Sequence, residues 1–134
     1  MSLYRIRHFR PGEFQCRCCG KGFISRRLVL RLDLIRRAWG GPILINSGYR
    51  CARRNAGVGG AAGSRHLIGC AADITCTENQ DKLRFENFVA LVSRMCETGK
   101  EGWEVVIYPQ KRFIHVAVPR EEASQLWEGG EISV

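Results

Sequence analysis

No apolar run in this chain approaches the ~20 residues that a membrane-spanning helix needs, so an integral helical membrane protein is excluded. Proline is scarce, at 4 in 134 residues, and no linker, internal repeat or low-complexity stretch divides the chain. The opening residues, MSLYRIRHFRPGEF, lack the apolar centre of a secretory leader, so the chain is expected to be cytoplasmic after synthesis. No G-x-x-x-x-G-K-[ST] run is present, which removes a phosphate-cradling nucleotide loop. Histidine is rare as well: His8, His66 and His115 are the whole supply.

What is there suits one domain spanning 1–134. At 45% hydrophobic the chain is too apolar to be disordered, and it is long enough to bury a core without disulfides or metal. Its charge is uneven. Residues 1–65 hold 14 Lys/Arg against Glu13 and Asp33, whereas residues 66–134 hold 7 against 11 acidic side chains. A basic half suits an anionic partner, such as nucleic acid or a wall polymer, or it is simply a solvated surface. No helix-turn-helix, zinc-finger spacing or RNA-binding aromatic motif accompanies it, so no nucleic-acid partner is expected.

Seven cysteines is an odd count, which argues against a complete disulfide framework. Cys70, Cys76 and Cys96 lie in apolar settings and read as core residues. Cys16, Cys18 and Cys19 form a cluster, with Cys51 the nearest fourth thiol. A structural zinc is one reading, although only Cys16 and Cys19 match the spacing of a zinc knuckle.

Residues 1–22 read as an irregular N-terminal segment, punctuated by Pro11, Gly12, Gly20 and Gly22. Ser25 suits a helix N-cap, Leu28, Leu32, Ile35 and Trp39 follow helical spacing, and Gly40-Gly41 stops the run. GPILIN predicts a strand at about 42–46, and AADIT another at 71–75. Between them lies a long Gly-rich loop, SGYRCARRNAGVGGAAGSRHLIG, of a length that is usually functional. A second helix is predicted from Asp81 to Thr98, with Leu83, Phe88, Leu91, Val92 and Met95 on its apolar face and Gly99 as C-cap. WEVVIY and RFIHVAV predict a hairpin around Pro109-Gln110-Lys111, and Glu121–Trp127 a short helical turn. The fold class is therefore α+β: a small antiparallel sheet with two main helices in a single domain.

Alternation in RFIHVAV puts Phe113, His115 and Ala117 on one face and the apolar Ile114, Val116 and Val118 on the other. His115 thus projects away from the core. In AADIT, Asp73 is a carboxylate inside an apolar strand; burial without a cation or donors would be expensive, so it needs an arginine, backbone N–H groups or a metal. His66 ends the Gly-rich loop just upstream. Two imidazoles and a carboxylate are a catalytic zinc set with the fourth position open to water. The alternative is a satisfied histidine on a sheet, with Asp73 paired to one of the many arginines.

Ser47-Gly48-Tyr49-Arg50, Asn55, Val58-Gly59-Gly60, Ser64-Arg65-His66-Leu67-Ile68-Gly69 and Ala71-Ala72-Asp73-Ile74 together resemble the M15 family of zinc peptidases. These are D-Ala-D-Ala carboxypeptidase-like enzymes that include phage endolysins. The resemblance runs from His8-Phe9 to Phe113-Ile114-His115-Val116, nearly the whole chain. It implies that His66, Asp73 and His115 bind Zn2+, that Arg50 grips substrate, and that Ser64 orients the loop around His66. A guanidinium fork suits a terminal carboxylate or a developing oxyanion.

Many relatives carry an acid or a histidine shortly before the last ligand. Here those positions are Arg112 and Gln110, and Ala117 stands where close relatives have Asp. Glu104, which alternation places with Val106 and Tyr108, is the candidate proton acceptor. The implied protein is a monomeric zinc peptidase, cytoplasmic until released, that cuts a bond involving a D-amino acid in peptidoglycan stem peptides. The rival is a catalytically inert zinc-binding, wall-binding module.

Overall fold

The computed structural model describes residues 2–77, 81–96 and 100–133. Helix α1 (Arg26–Trp39) starts where Ser25 Oγ accepts the Leu28 N–H at 3.4 Å, and it ends at Gly40 in the left-handed region. Its Leu28, Leu32 and Ile35 are fully buried. The short helix α2 spans Ala52–Gly57. Helix α3 (Lys82–Met95) is capped by Asp81, whose Oδ1 accepts the Arg84 N–H at 2.7 Å. The helix ends at Met95 with Cys96 extended, short of the expected Thr98; Thr98 and the Gly99 cap themselves lie outside the described residues.

On α3 the buried stripe is Phe85, Phe88 and Val92, whereas Leu83 is 65% exposed and does not join the apolar face assigned to it. Five residues at ~100° each turn Leu83 about 140° away from Phe88. The Trp39 indole of α1 packs edge-on against Phe88, with ring centroids 5.1 Å apart.

Strands β3 (Leu44–Ser47), β4 (Ala71–Thr75), β5 (Glu104–Tyr108) and β6 (Phe113–Ala117) form a fully antiparallel sheet in the order β3-β4-β6-β5. The β5–β6 loop has four residues, Pro109–Arg112, because Tyr108 pairs with Phe113. Arg112 enters β6 with φ 53. On one face Ala72, Ile74, Ile114 and Val116 join the stripes of α1 and α3 in a single core. The opposite face carries Asp73 and His115. Cys70, Cys76 and Cys96 belong to that core, as their apolar settings imply.

The chain ends are more ordered than the sequence suggests. β1 (Leu3–Arg5) pairs with β8 (Glu131–Ser133), and β2 (Ile24–Ser25) with β7 (Leu126–Trp127). Pro11–Phe14 and Arg120–Ser124 are 3-10 turns, so the expected turn at Glu121–Trp127 gives way to a strand halfway. Two- and three-residue strands are too short for a periodic signal, and their partners are remote in sequence. Asp33, buried on α1, fastens the N-terminal segment: it accepts from Tyr4 Oη at 2.8 Å, the His8 N–H at 2.9 Å and the Arg7 N–H at 3.3 Å. No described helix is long and apolar enough to cross a membrane.

Candidate metal centre and active site

Antiparallel register sets Asp73 of β4 directly opposite His115 of β6 and, one strand further, Val106 of β5 opposite His115. Both side chains leave the sheet on the face away from the helices. His66 arrives from the Gly-rich segment, which is not all loop: besides α2 it holds a 3-10 turn, Arg65–Ile68. Ser64 caps that turn by accepting the His66 N–H on its Oγ at 3.3 Å. Gly69 ends it at φ 75, where an added Cβ would meet the Phe23 carbonyl oxygen at 2.8 Å.

Three donor atoms converge within 4.8 Å of one another, one each from His66, Asp73 and His115. Asp73 Oδ1 lies 3.3 Å from His66 Nε2 and 3.0 Å from His115 Nδ1. The remaining ring nitrogens are both engaged. His66 Nδ1 lies 2.7 Å from the Gly48 carbonyl, and His115 Nε2 lies 2.8 Å from Glu104 Oε1. A carbonyl or carboxylate oxygen only accepts, so those nitrogens carry the hydrogens. Asp73 Oδ1 only accepts as well, so a proton is shared between ring and carboxylate without an ion, whereas with an ion and neutral rings Nε2 of His66 and Nδ1 of His115 are the lone-pair atoms. Metal-binding histidines are held in this manner, with the distal N–H tied to an oxygen that fixes ring orientation and tautomer. The donor set of two imidazoles and one carboxylate fits a divalent ion such as zinc with one position open.

Without a metal the same atoms form a proton-sharing cluster. Burial pushes the Asp73 carboxyl up, but hydrogen bonds and charge from His115 and His66 outweigh it and bring the pKa down to about 2. Burial lowers the His115 pKa, yet the hydrogen bond and charge of Asp73, with those of Glu104, leave it raised overall.

Arg50 docks on the far side of the carboxylate. Its Nη2 donates to Asp73 Oδ2 at 3.2 Å, its Nε to Ser47 Oγ at 3.0 Å and its Nη1 to Asn55 Oδ1 at 3.4 Å. Of five guanidinium hydrogens, these contacts leave about two, one on each terminal nitrogen, for an incoming group. In the sequence Ser47 and Asn55 stand out only as motif letters. The role of Ser47 depends on a bulge between Ile45 and Ser47, which shifts register so that Ser47 faces Asp73. Asn55 is locked by donating to the Ala61 carbonyl at 2.8 Å. Gly48 is required for close approach, since a Cβ there would sit 2.7 Å from Phe14 Cα.

Arg50, Ser64, His66, Asp73, Glu104 and His115 line one cleft of about 470 Å³. Glu104 and Asp73 are its acids, Arg50, Arg65 and Arg120 its guanidinium groups, and Val106, Tyr108 and Phe113 its apolar wall. Tyr108 and Phe113 stack at 4.5 Å. Glu104, half exposed, lies on the same side as Val106 and Tyr108, as alternation predicts. Arg112 and Gln110 are absent from the lining.

The sequence model of the peptidase M15 family matches residues 7–117. A 45-residue stretch is 47% identical to the zinc D-Ala-D-Ala carboxypeptidase of Streptomyces albus G. That stretch is 33% of this chain and spans only 18% of the relative's length. No solved structure gives a match. The family match covers most of the chain, including the three converging donors and Arg50, and the chain therefore belongs to the peptidase M15 family.

Proposed function

We propose that this chain is a zinc-dependent peptidase that hydrolyses peptidoglycan stem peptides at a bond involving a D-amino acid. The observation that carries this reading is the convergence of His66 Nε2, Asp73 Oδ1 and His115 Nδ1, with the other ring nitrogens tied to Gly48 and Glu104. The named activity of the Streptomyces albus G relative supports the substrate class. Zinc, when bound, supplies Lewis acidity and lowers the pKa of water toward neutrality.

The residues divide the remaining work. His66, Asp73 and His115 hold the ion. Arg50, kept in place by Ser47, Asn55 and Asp73, turns its two remaining N–H groups toward a substrate carboxylate or a developing oxyanion. Glu104 Oε1 holds the His115 N–H, and its second oxygen is the carboxylate atom available to accept a proton from water and pass it to the leaving amine. The Tyr108–Phe113 stack gives a side chain of the substrate an apolar surface. The arginine-rich composition suits an anionic wall polymer and supports a reading in which the chain works in the periplasm or wall after release.

A second reading, zinc binding without hydrolysis, draws on one observation: the cleft's acid outside the donor set is already engaged by His115. Purified sacculi incubated with zinc-loaded protein separate the two. Release of muropeptides or free D-alanine, abolished in His66→Ala, supports the peptidase. No product from the wild type, or equal product from His66→Ala, removes it.

A further inference from the structure

A second set of potential ligands lies outside the cleft, where the N-terminal segment meets the start of α2. We propose that Cys16, Cys19 and Cys51 form a separate thiolate site for a structural zinc ion. The three sulfurs lie within 4.8 Å of one another, and Cys16 Sγ and Cys51 Sγ are 3.6 Å apart. Zinc–sulfur bonds of ~2.3 Å at tetrahedral angles put two ligating sulfurs about 3.8 Å apart. The observed separation needs little adjustment to take the ion.

The backbone around the sulfurs has the form of a metal-binding turn. Cys16-Arg17-Cys18-Cys19-Gly20 supplies a C-x-x-C spacing through Cys16 and Cys19. The Cys18 N–H donates to Cys16 Sγ at 3.4 Å. The Gly20 N–H donates to the Cys16 carbonyl at 2.9 Å, and Gly20 takes φ 74, which lets the chain turn back. The Cys16 N–H donates to the Lys21 carbonyl at 2.7 Å, and Gln15 bridges to Gly22, so the turn is closed at its base.

The third ligand comes from a distant part of the chain. The Cys51 N–H donates to Cys16 Sγ at 3.4 Å, and the Arg54 N–H donates to Cys51 Sγ at 3.4 Å. Backbone donors aimed at sulfur favour the thiolate, the form that ligates metal. The Cys18 thiol also contacts Cys51 but is not one of the three converging sulfurs, so the fourth position is left open. Cys18 and Cys19 are exposed, so an ion has access.

This arrangement gives the metal a definite structural task. Cys51 follows Arg50 directly and caps α2, which carries Asn55. The Tyr49 N–H donates to the Phe14 carbonyl at 2.9 Å, two residues before Cys16. An ion across Cys16, Cys19 and Cys51 ties the N-terminal turn to the segment that presents Arg50. It stiffens the cleft's positioning arm from behind without entering the cleft. The sequence alone left these thiols undecided because Cys51 is far from the other two along the chain.

Cobalt is a spectroscopic substitute for zinc, and thiolate ligation gives a near-ultraviolet charge-transfer band that imidazole and carboxylate ligands do not. The full chain carrying His66→Ala and Asp73→Ala removes the cleft as a competitor and makes the result independent of hydrolysis. Titration with Co2+ under reducing conditions is expected to give that band, saturating at one equivalent and displaced by Zn2+. In the same background Cys19→Ser, at an exposed position, and Cys51→Ser are each expected to abolish it, with circular dichroism reporting that the fold is kept. Absence of the band overturns the proposal, as does a band that survives both serine variants.

Discussion

Asp73 makes three polar contacts with two oxygens. Oδ1 faces both histidines and Oδ2 holds Arg50, so the candidate metal donors and the guanidinium proposed to grip substrate share one carboxylate. Glu104 is different, since only its contact with His115 Nε2 links it to the donor set. Glu104→Gln keeps an acceptor oxygen for that N–H but no longer takes up a proton. Zinc affinity is expected to fall by no more than ~10–100-fold, while kcat falls by about 100-fold or more. Activity within a few-fold of wild type, measured at saturating zinc, would exclude Glu104 as proton acceptor. The faces of His115, Asp73 and Glu104 were legible from strand alternation. Their meeting was legible only through the family motifs, because cross-strand register is a tertiary property that no local pattern encodes.

Among the elements, the long ones were legible and the short ones were not. Helix α1 announces both ends through Ser25 and Gly40, and β4 and β6 announce their faces through alternation. Strands β1, β2, β7 and β8 are two or three residues long and have no period to read. The Gly-rich segment conceals α2 and the His66 turn because glycine and arginine mask helical spacing. Leu83 shows a different failure: an apolar residue near a helix start was assigned to a face it does not occupy. Phe88→Ala is therefore expected to cost about 3–5 kcal/mol of stability, and Leu83→Ala no more than ~0.5 kcal/mol. Urea unfolding checks both, and comparable losses would place the α3 stripe wrongly.

For the whole molecule, the cleft couples stability to pH when no metal is bound. Asp73 has a depressed pKa, so its stabilising contribution is present above its unfolded value of ~3.9 and is lost as pH falls toward 2. His115 has a raised pKa, so its contribution is complete below the unfolded value of ~6.5 and is lost as pH climbs through the folded one. Chelated protein is expected to resist urea best between about pH 4 and 6.5. Asp73→Asn should flatten both limbs, and an unchanged profile in that variant would assign the pH dependence elsewhere. Zinc competes for the same lone pairs, so its affinity is expected to weaken as His115 takes up its proton.

The central claim is that three side chains from the Gly-rich segment, β4 and β6 hold one zinc ion. An anomalous difference map from zinc-soaked crystals, collected at the zinc edge, tests it most directly. The expected peak lies about 2.0–2.2 Å from His66 Nε2, Asp73 Oδ1 and His115 Nδ1. No peak among those atoms, or an ion held between His115 Nε2 and Glu104 instead, would contradict it.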